Sequence, residues 1–467
     1  MDLNAYVRKM EPALLACLQE NLRIPSVQGP AEPGKPYGSA VRESLDHVLA
    51  AAEKLGFSTV NMDGQLGWCE YGEGEEMVAV LGHLDVVPAG DGWSFDPWGG
   101  EIRDGRIFGR GTMDDKGPSI AALFALAALR ESGLPIRRRI RLFFGCNEES
   151  GSGDMKYYLA HGGEIPVMGF TPDGEYPVIN GEKGIINVTY GRELDQIGEL
   201  KLLSIHGGTA PNVVPASASA KLACPRELAE RIARLSAPKL RYTVTEQGLF
   251  VESEGVNAHG STPELGENAL GRLVLALDTL PLEGQTAQAI HFLAQTLGME
   301  TDGASAGIAL SDDVSGKLTL NWGTLDVENG KLLMKINYRY PVTKRLPRKR
   351  SCTRKSCDDC APILDEKFAA AGFTKEAQLH KEKLYVPEDS SLIRTLMKVY
   401  REQTGLEGKP KSIGGGTYAK SLPNIVAFGP IFPGDEIREH KPDEFLELSR
   451  LMQNAQIIAA AMYEMAK

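Results

Sequence analysis

The sequence predicts an α/β fold, in which a mostly parallel sheet flanked by helices carries an inserted α+β domain. The chain has 467 residues, more than one hydrophobic core usually serves. Strand and helix signals alternate in its first part, which is typical of a parallel sheet covered on both faces. This alternation stops after residue 188 and resumes near residue 380. We therefore expect one domain built from 1–188 and 380–467, interrupted by a second domain at 189–379.

The first part contains one especially apolar helical segment. Residues 114–132 are apolar nearly all round and are expected to form a buried helix, with Pro118 in its first turn and Gly133 beyond its end. Asp104-Gly105 between short flanks predicts a hairpin. In chain order we predict helices over 2–21 and 40–55, a strand at 77–81, the hairpin at 101–111, the helix at 114–132, and then strand, helix and strand at 139–146, 154–161 and 167–174.

The insert and the last part of the chain differ in pattern. Residues 189–379 contain short alternating runs such as KLRYTVTE and KLLMKINYRYPV between helical stretches, which predicts α+β structure. From about residue 381, strong helices and short strands return. Within the insert, Thr343–Cys360 is rich in basic residues and spaces its cysteines C-x4-C-x2-C. We favour a solvated loop there over a structural zinc site, because a fourth ligand is not obvious.

Composition argues against several classes of partner. The formal net charge of −11 gives no electrostatic basis for binding nucleic acid or an anionic membrane. The strongest apolar run, Ser119–Leu129, is about half the roughly 20 residues that span a bilayer. The N-terminus lacks the pattern of a signal peptide, and seven scattered cysteines do not suggest a disulfide framework. We therefore expect a cytoplasmic protein with no nucleic-acid and no membrane partner.

His83 and Asp85 stand two residues apart where the strand predicted at 77–81 ends. Residues two apart on a strand project from the same face, and open α/β sheets hold ligands at the carboxyl ends of their strands. The pair therefore suits a metal ligand and a carboxylate that orients it. On these two residues alone, a buried histidine beside a turn aspartate is the better interpretation.

Further acidic and histidine side chains recur at predicted strand ends and loops. Each by itself could be a helix cap, a solvated turn or a surface histidine. Together, such side chains at successive strand ends converge on one edge of a parallel sheet, where mixed nitrogen and oxygen ligands suit zinc and similar ions. Two ions with one bridging carboxylate would leave a spare glutamate as general base. The further candidates are Asp114, Asp115, Glu148, Glu149, Asp173 and His440.

The same segments carry a family resemblance. GHLDVVPAG, FGRGTMDDKGP, GCNEESGSGD, FTPDGEYP, AHGSTPELGENA and REHKPDEF occur in this order over most of the chain. They resemble the aminoacylase/carnosinase/peptidase V family of di-metal hydrolases, and in particular bacterial peptidase V-type dipeptidases. The combination is highly specific, although no single motif would be.

The resemblance implies a role for each matching residue. The implied metal ligands are His83, Asp114, Glu149, Asp173 and His440, with Asp114 bridging the two ions and followed by a cis peptide bond. Asp85 orients His83, and Glu148 is the general base. In the inserted domain, which the family uses as a lid, His259 stabilises the tetrahedral intermediate. Asn212 and Arg339 hold the substrate, and Gly415 and Gly416 of a glycine-rich loop approach it. For Arg339, an ordinary charge on a surface strand is an equal alternative.

The resulting hypothesis is the metal-dependent hydrolysis of dipeptides, small peptides being the substrate. Two divalent ions are implied, with zinc favoured and manganese or cobalt as alternatives. The alternative functions are an N-acyl amino acid deacylase of the same family and a catalytically silent binding protein on this fold. The large insert resembles the lid of monomeric dipeptidases, so we expect a monomer. The basic, cysteine-bearing stretch departs from the family pattern, in which a short acidic or polar turn and a helix usually follow YRYPVT.

Overall fold

The computed structural model describes residues 2–235, 237–344 and 361–467. It contains two compact units: a first unit of Met1–Gly181, Tyr385–Ser412 and Gly416–Lys467, and a second unit of Glu182–Leu384 and Ile413–Gly415. These bounds differ from the expected 188/189 and 379/380 because strands at Gly184–Glu193 and Thr374–Lys381 run through the two expected boundaries. The two strands pair with each other within the second unit. Residues 413–415, expected with the last part of the chain, also group with the second unit.

The helices and strands are numbered here in chain order. The α-helices are α1 (Leu3–Leu22), α2 (Ser39–Lys54), α3 (Lys116–Ser132), α4 (Gly153–Ala160), α5 (Arg226–Ala233), α6 (Ala269–Asp278), α7 (Gly284–Thr296), α8 (Ala361–Ala370), α9 (Ser391–Thr404) and α10 (Leu448–Ala466). The strands are β1 (Ser58–Met62), β2 (Leu66–Tyr71), β3 (Met77–His83), β4 (Glu101–Arg103), β5 (Arg106–Phe108), β6 (Arg139–Gly145), β7 (Met168–Thr171), β8 (Ile179–Glu182), β9 (Gly184–Glu193), β10 (Lys201–Gly207), β11 (Ser217–Ala223), β12 (Leu240–Thr245), β13 (Gly248–Glu254), β14 (Ser311–Asp312), β15 (Gly316–Lys317), β16 (Thr319–Glu328), β17 (Lys331–Tyr340), β18 (Thr374–Lys381), β19 (Leu384–Tyr385), β20 (Lys411–Ile413), β21 (Ile425–Ala427) and β22 (Phe445–Glu447).

The first unit is built on a mixed sheet with the strand order β1-β2-β6-β3-β7-β21-β8-β19. Its four central strands, β6, β3, β7 and β21, are parallel neighbours. The strands outside them, β1, β2 and β8, pair antiparallel. The predicted sheet flanked by helices is therefore confirmed, with its parallel part at the centre.

Helix α3 lies at the heart of the first unit. It is buried continuously from Lys116 to Leu129 and belongs to the same apolar cluster as residues of α1 and α10. Its apolar side chains point in every direction, so no face of it suits water. The helix ends as predicted at Gly133, whose φ of 65° suits a residue without a Cβ.

The second unit contains an antiparallel sheet with the order β12-β13-β11-β10-β16-β17-β9-β18. Buried and partly exposed residues alternate along β9 and β11, which is the period-2 pattern of a sheet with one covered face. The apolar residues of α6 and α7 form one core with the inward residues of these strands. The α+β prediction for the insert is confirmed.

Two further sequence expectations concern segments outside these sheets. The hairpin predicted at 101–111 is formed by β4 and β5, with Asp104 and Gly105 both at positive φ in its turn. The basic, cysteine-bearing stretch lies outside the described residues from residue 345 onwards. In the part of the chain that the structure describes, no helix has the length and apolar character to cross a membrane.

Candidate functional site

Three neighbouring parallel strands of the first unit end beside one another. His83 is the last residue of β3, Glu148 and Glu149 follow β6, and Asp173 follows β7. The register pairs His83 with Gly145, so the loop after β6 begins beside the histidine. Asp114 lies just before α3. These side chains therefore lie together at the edge of the sheet where the parallel strands end. Ligand-binding sites of α/β sheets commonly lie at this edge.

Two groups of ligand-type atoms share Asp114. The first contains His83, Asp114 and Asp173, the second Asp114, Glu149 and His440, and within each group the atoms lie within 4.8 Å of one another. Asp114 Oδ1 is 3.0 Å from His83 Nε2, and its Oδ2 is 3.0 Å from His440 Nε2. His440 Nε2 is also 3.2 Å from Glu149 Oε1. One carboxylate therefore stands between two potential cation positions.

The electrostatics of these groups suit a bound cation. Burial and the charge of Asp114 raise the pKa of both Asp173 and Glu149. Burial opposes ionisation of Asp114 too, but His440 and His83 hold its pKa well below the usual range. Contacts with Asp114 and Glu149 raise the pKa of His440 to about 11. A protonated histidine cannot bind a metal. A bound ion would therefore have to displace the proton of His440, and the charge of the ion would replace that of the proton.

His83 is oriented for metal binding by a backbone group. Its Nδ1 lies 2.9 Å from the carbonyl oxygen of Asp85, which only accepts hydrogen bonds, so Nδ1 carries the proton. In the neutral ring, Nε2 then keeps its lone pair. This Nε2 is buried and faces the carboxylates of Asp114 and Asp173, at 3.0 and 3.8 Å. Imidazole and carboxylate donors of this kind accept zinc, manganese or cobalt, so the side chains present fit a divalent metal.

The carboxylate of Asp85 has partners in addition to the histidine that was expected. It is 3.5 Å from His83 Nδ1, whereas its two oxygens accept hydrogen bonds from the backbone N–H groups of Glu148 and Glu149, each at 3.1 Å. Asp85 therefore orients the histidine through its carbonyl oxygen. With its carboxylate it fixes the loop that carries the two glutamates.

Other buried carboxylates hold the remaining loops, and sequence reasoning missed this function. Asp115 Oδ2 accepts from the backbone N–H of His83 at 3.0 Å. Asp154 Oδ2 accepts from the backbone N–H groups of Cys146 and Asn147, at 2.7 and 3.0 Å, and from the hydroxyl of Tyr418. The ring of Tyr418 packs edge-on against the ring of His83.

Glu444 is a further missed residue. Its side chain is fully buried, and Oε1 accepts from the backbone N–H groups of Gly111, Met113 and Asp114 at 3.1, 2.8 and 3.3 Å. Oε2 pairs with the buried guanidinium of Arg110. The only sequence signal was its place in REHKPDEF, four residues after His440. The peptide bond between Asp114 and Asp115 is cis, as the resemblance implies.

The second unit brings another set of predicted residues together. Arg339 donates to the carbonyl oxygen of Gly414 at 2.7 Å and to the side chain of Asn337 at 3.1 Å. Its Nη2 lies 3.5 Å from His259 Nε2, and His259 Nδ1 lies 2.6 Å from Ser261 Oγ. We call Arg339, His259 and Ser261 the Arg339 cluster.

Arg339 is only 4% exposed, so the alternative of an ordinary surface charge is wrong. Burial lowers the pKa of this guanidinium to about 10. Within the described chain, no acidic side chain forms an ion pair with it, and its hydrogen bonds go to neutral groups. A buried guanidinium with neutral partners suits an anionic ligand such as a carboxylate.

The structure places the other predicted substrate residues less directly. Asn212 adjoins the segment of His259, because its carbonyl oxygen accepts from the backbone N–H of Gly260 at 2.7 Å. Its neighbour Val213 forms a bridge with His259. In the glycine-rich loop the contact with Arg339 is made by Gly414. The expected approach of Gly415 and Gly416 to a substrate stays a prediction.

Known proteins resemble this chain over nearly its whole length. Residues 79–464 match the description "Peptidase family M20/M25/M40". The putative dipeptidase YtjP of Bacillus subtilis (strain 168) is 38% identical, over 99% of this chain and 98% of its own. The Beta-Ala-Xaa dipeptidase of Lactobacillus delbrueckii subsp. lactis is 33% identical, over 100% and 99%. The crystal structure of human carnosine dipeptidase 1 matches with a TM-score of 0.55 and 16% identity, over 99% and 98%, which shows a common fold.

Proposed function

We propose, from the premise that this chain belongs to the peptidase family M20/M25/M40, that it hydrolyses dipeptides with the help of two divalent metal ions. The observation that carries this proposal is the carboxylate of Asp114, shared by two groups of ligand-type atoms at one edge of the sheet. The names of the two curated relatives, both dipeptidases, support the substrate class.

The five ligand-type residues would hold the ions. His83 and Asp173 would bind one, Glu149 and His440 the other, and Asp114 both. Bound divalent ions polarise a carbonyl group and make a water molecule more acidic. Zinc is favoured for this mixture of imidazole and carboxylate donors, although manganese and cobalt accept the same donors.

Glu148 is the proposed general base. It adjoins Glu149 but lies outside both groups of ligand-type atoms, and its backbone N–H is fixed by the carboxylate of Asp85. Its carboxylate would take a proton from the attacking water and deliver that proton to the departing amine.

The Arg339 cluster supplies the proposed recognition groups. The guanidinium of Arg339 would bind the carboxylate of the dipeptide. It suits this role because it is buried and donates to neutral groups. His259 is exposed and would donate a hydrogen bond to the oxyanion that forms on the attacked carbonyl. For Asn212, Gly415 and Gly416, a role in holding the substrate rests on the family resemblance alone.

The same proposal includes a monomeric, cytoplasmic protein. The monomer is inferred from the large insert. The compartment is inferred from cysteine usage, and the four cysteines among the described residues are unpaired: Cys17, Cys69, Cys146 and Cys224. Size-exclusion chromatography with light scattering would test the monomer, and cell fractionation would test the location.

A substrate panel tests the function. Purified protein is assayed with dipeptides, including β-alanyl dipeptides, and with N-acyl amino acids, before and after removal of metal by a chelator and after addition of Zn²⁺, Mn²⁺ or Co²⁺. Dipeptide hydrolysis that is lost with the metal and restored by it supports the proposal. Hydrolysis of N-acyl amino acids alone would instead indicate a deacylase. A fully metallated protein that hydrolyses neither class would be a binding protein.

A further inference from the structure

We infer that Glu444 is a positioning residue for the bridging ligand: its carboxylate fixes the backbone of the Asp114 loop and so sets the affinity for both ions. This inference rests on the metal part of the proposed function. It concerns a residue outside the ligand set, since Glu444 belongs to neither group of ligand-type atoms.

The side chain of Glu444 is hydrogen-bonded to the backbone of the Asp114 loop. Its Oε1 accepts hydrogen bonds from three backbone N–H groups within four consecutive residues. The donors are Gly111, Met113 and Asp114. Hydrogen bonds from backbone amides to a carboxylate are stronger than those to a neutral acceptor. Because the third donor is the backbone of Asp114 itself, a shift of this carboxylate would shift the shared ligand.

Glu444 also anchors the segment that carries His440. Its backbone carbonyl accepts from the N–H of Gly109 at 3.0 Å. The next residue, Phe445, begins β22, which pairs with β5. The loop from His440 to β22 is therefore tied to the loop leading to Asp114. The two ligands meet at 3.0 Å between His440 Nε2 and Asp114 Oδ2.

The charge of Glu444 is balanced by a buried arginine. Glu444 forms an ion pair with Arg110. The side chain of Arg110 is 1% exposed and that of Glu444 is 0% exposed. Arg110 also donates to the carbonyl oxygen of Ala89 at 3.2 Å. Arg110 balances the charge of Glu444, and Glu444 belongs to neither group of ligand-type atoms.

The experiment measures metal affinity and stability separately in the Glu444→Gln variant. Zn²⁺ is titrated into chelator-stripped full-length protein by calorimetry, and the Tm of the metal-free protein is recorded. Loss of a residue that orients a metal ligand typically weakens binding about 10–100-fold. We expect the Kd of both ions to rise by about this factor, because Asp114 serves both.

Asp312→Asn is the matched control. Asp312 is a buried carboxylate of the second unit that likewise holds a loop through backbone N–H groups, those of Val314, Ser315 and Thr343. This variant is expected to lower the Tm while leaving both Zn²⁺ affinities unchanged. A control that weakens Zn²⁺ binding as much as Glu444→Gln does would overturn the inference.

A double variant covers the case in which Glu444→Gln alone folds poorly. Adding Arg110→Met removes the arginine that would otherwise be left buried and unpaired, and should restore part of the Tm. We expect Zn²⁺ binding to stay weak in the double variant.

The inference is overturned if the double variant binds two ions as tightly as wild type. It is also overturned if the binding of only one ion is weakened in the single variant. A wild-type protein that binds two ions but cleaves no dipeptide would refute the proposed activity without touching this inference.

Discussion

Two regions of the molecule are held by opposite kinds of group: the loops of the first unit that carry the candidate ligand residues, and the Arg339 cluster of the second unit. In the first unit, backbone N–H groups donate hydrogen bonds to the carboxylates of Asp85, Asp154 and Glu444. In the second unit, a guanidinium donates to a backbone carbonyl and a neutral amide. The first region is therefore held by hydrogen-bond acceptors, and the Arg339 cluster by a hydrogen-bond donor.

The two regions also differ in the burial of their histidines. His83 is completely buried, and its Nδ1 and backbone N–H are both hydrogen-bonded. His259 is exposed and rests against Ser261. A buried, fully oriented imidazole suits a permanent ligand. An exposed one suits contact with a group that comes and goes. Under the proposed function, the first unit would bind the ions and the second would contact the substrate. The variants below test these two roles.

The largest effect is expected for Glu148→Gln. Loss of a general base typically lowers kcat by about 10²–10⁴-fold, whereas the metal content should not change. Glu149→Gln is the matched neighbour and should weaken metal binding. Steady-state kinetics together with metal analysis separate the two. Near-normal kcat in the fully metallated Glu148→Gln variant would show that proton transfer is done elsewhere.

His259→Ala tests the second-unit side of the comparison. Removing one donor to an oxyanion typically lowers kcat by about 10²–10³-fold, with KM nearly unchanged because the interaction strengthens only in the transition state. Both ions should remain bound. His206→Ala, which removes an exposed histidine paired with Asp326 in the same unit, should leave kcat unaltered. Equal kcat values for the two variants would remove His259 from the reaction.

His440→Ala tests whether the ions occupy two separable positions. His440 belongs to one group of ligand-type atoms, and the other group of three stays complete without it. We expect tightly bound metal to fall from two ions to one per chain, measured by elemental analysis after dialysis. His161→Ala, which removes an exposed histidine of the first unit stacked on Tyr157, should keep two. Two tightly bound ions in His440→Ala would refute the ligand assignment.

The smallest effect concerns the pH dependence of stability. Burial raises the pKa of Asp154 to about 6, above its value of about 3.9 in unfolded chains. The folded state thus binds the proton more tightly, so this contribution to stability is present below about pH 4 and is lost as pH rises through about 6. The contribution is at most about 3 kcal/mol.

Asp154→Asn should therefore lose less stability than wild type between about pH 4 and pH 7. Melting curves of metal-free protein measure this difference. Asp104→Asn, at a side chain 89% exposed, should follow wild type. The same slope in Asp154→Asn and wild type would contradict the assigned pKa shift.

Local patterns in the sequence were sufficient for much of the fold. The all-round apolar run of α3 and its terminal Gly133 depend on residues adjacent in the chain. The same is true of the Asp104-Gly105 turn. The residue types at the strand ends, such as His83 and Asp173, were equally visible. Periodicity and turn chemistry are local, so one sequence displays them.

Which atoms meet was decided by the tertiary structure. The parallel register of β3 and β6 brings the Glu148–Glu149 loop beside His83. The return of the chain after the second unit brings His440 to Asp114. For Asp85, the sequence indicated an orienting role, but only the structure shows that its carbonyl oxygen holds the imidazole while its carboxylate holds the loop.

The sequence by itself determined the alternation of helices and strands, the insertion of one domain into another and the chemical types of the candidate ligands. Only the tertiary structure decided that Glu444 and Asp154 hold the loops on which those ligands stand. The physical reason is that these carboxylates bind backbone N–H groups. Every residue except proline carries such a group. The sequence therefore does not show which backbone N–H group a carboxylate will bind, and only folding brings the carboxylate and the N–H group together.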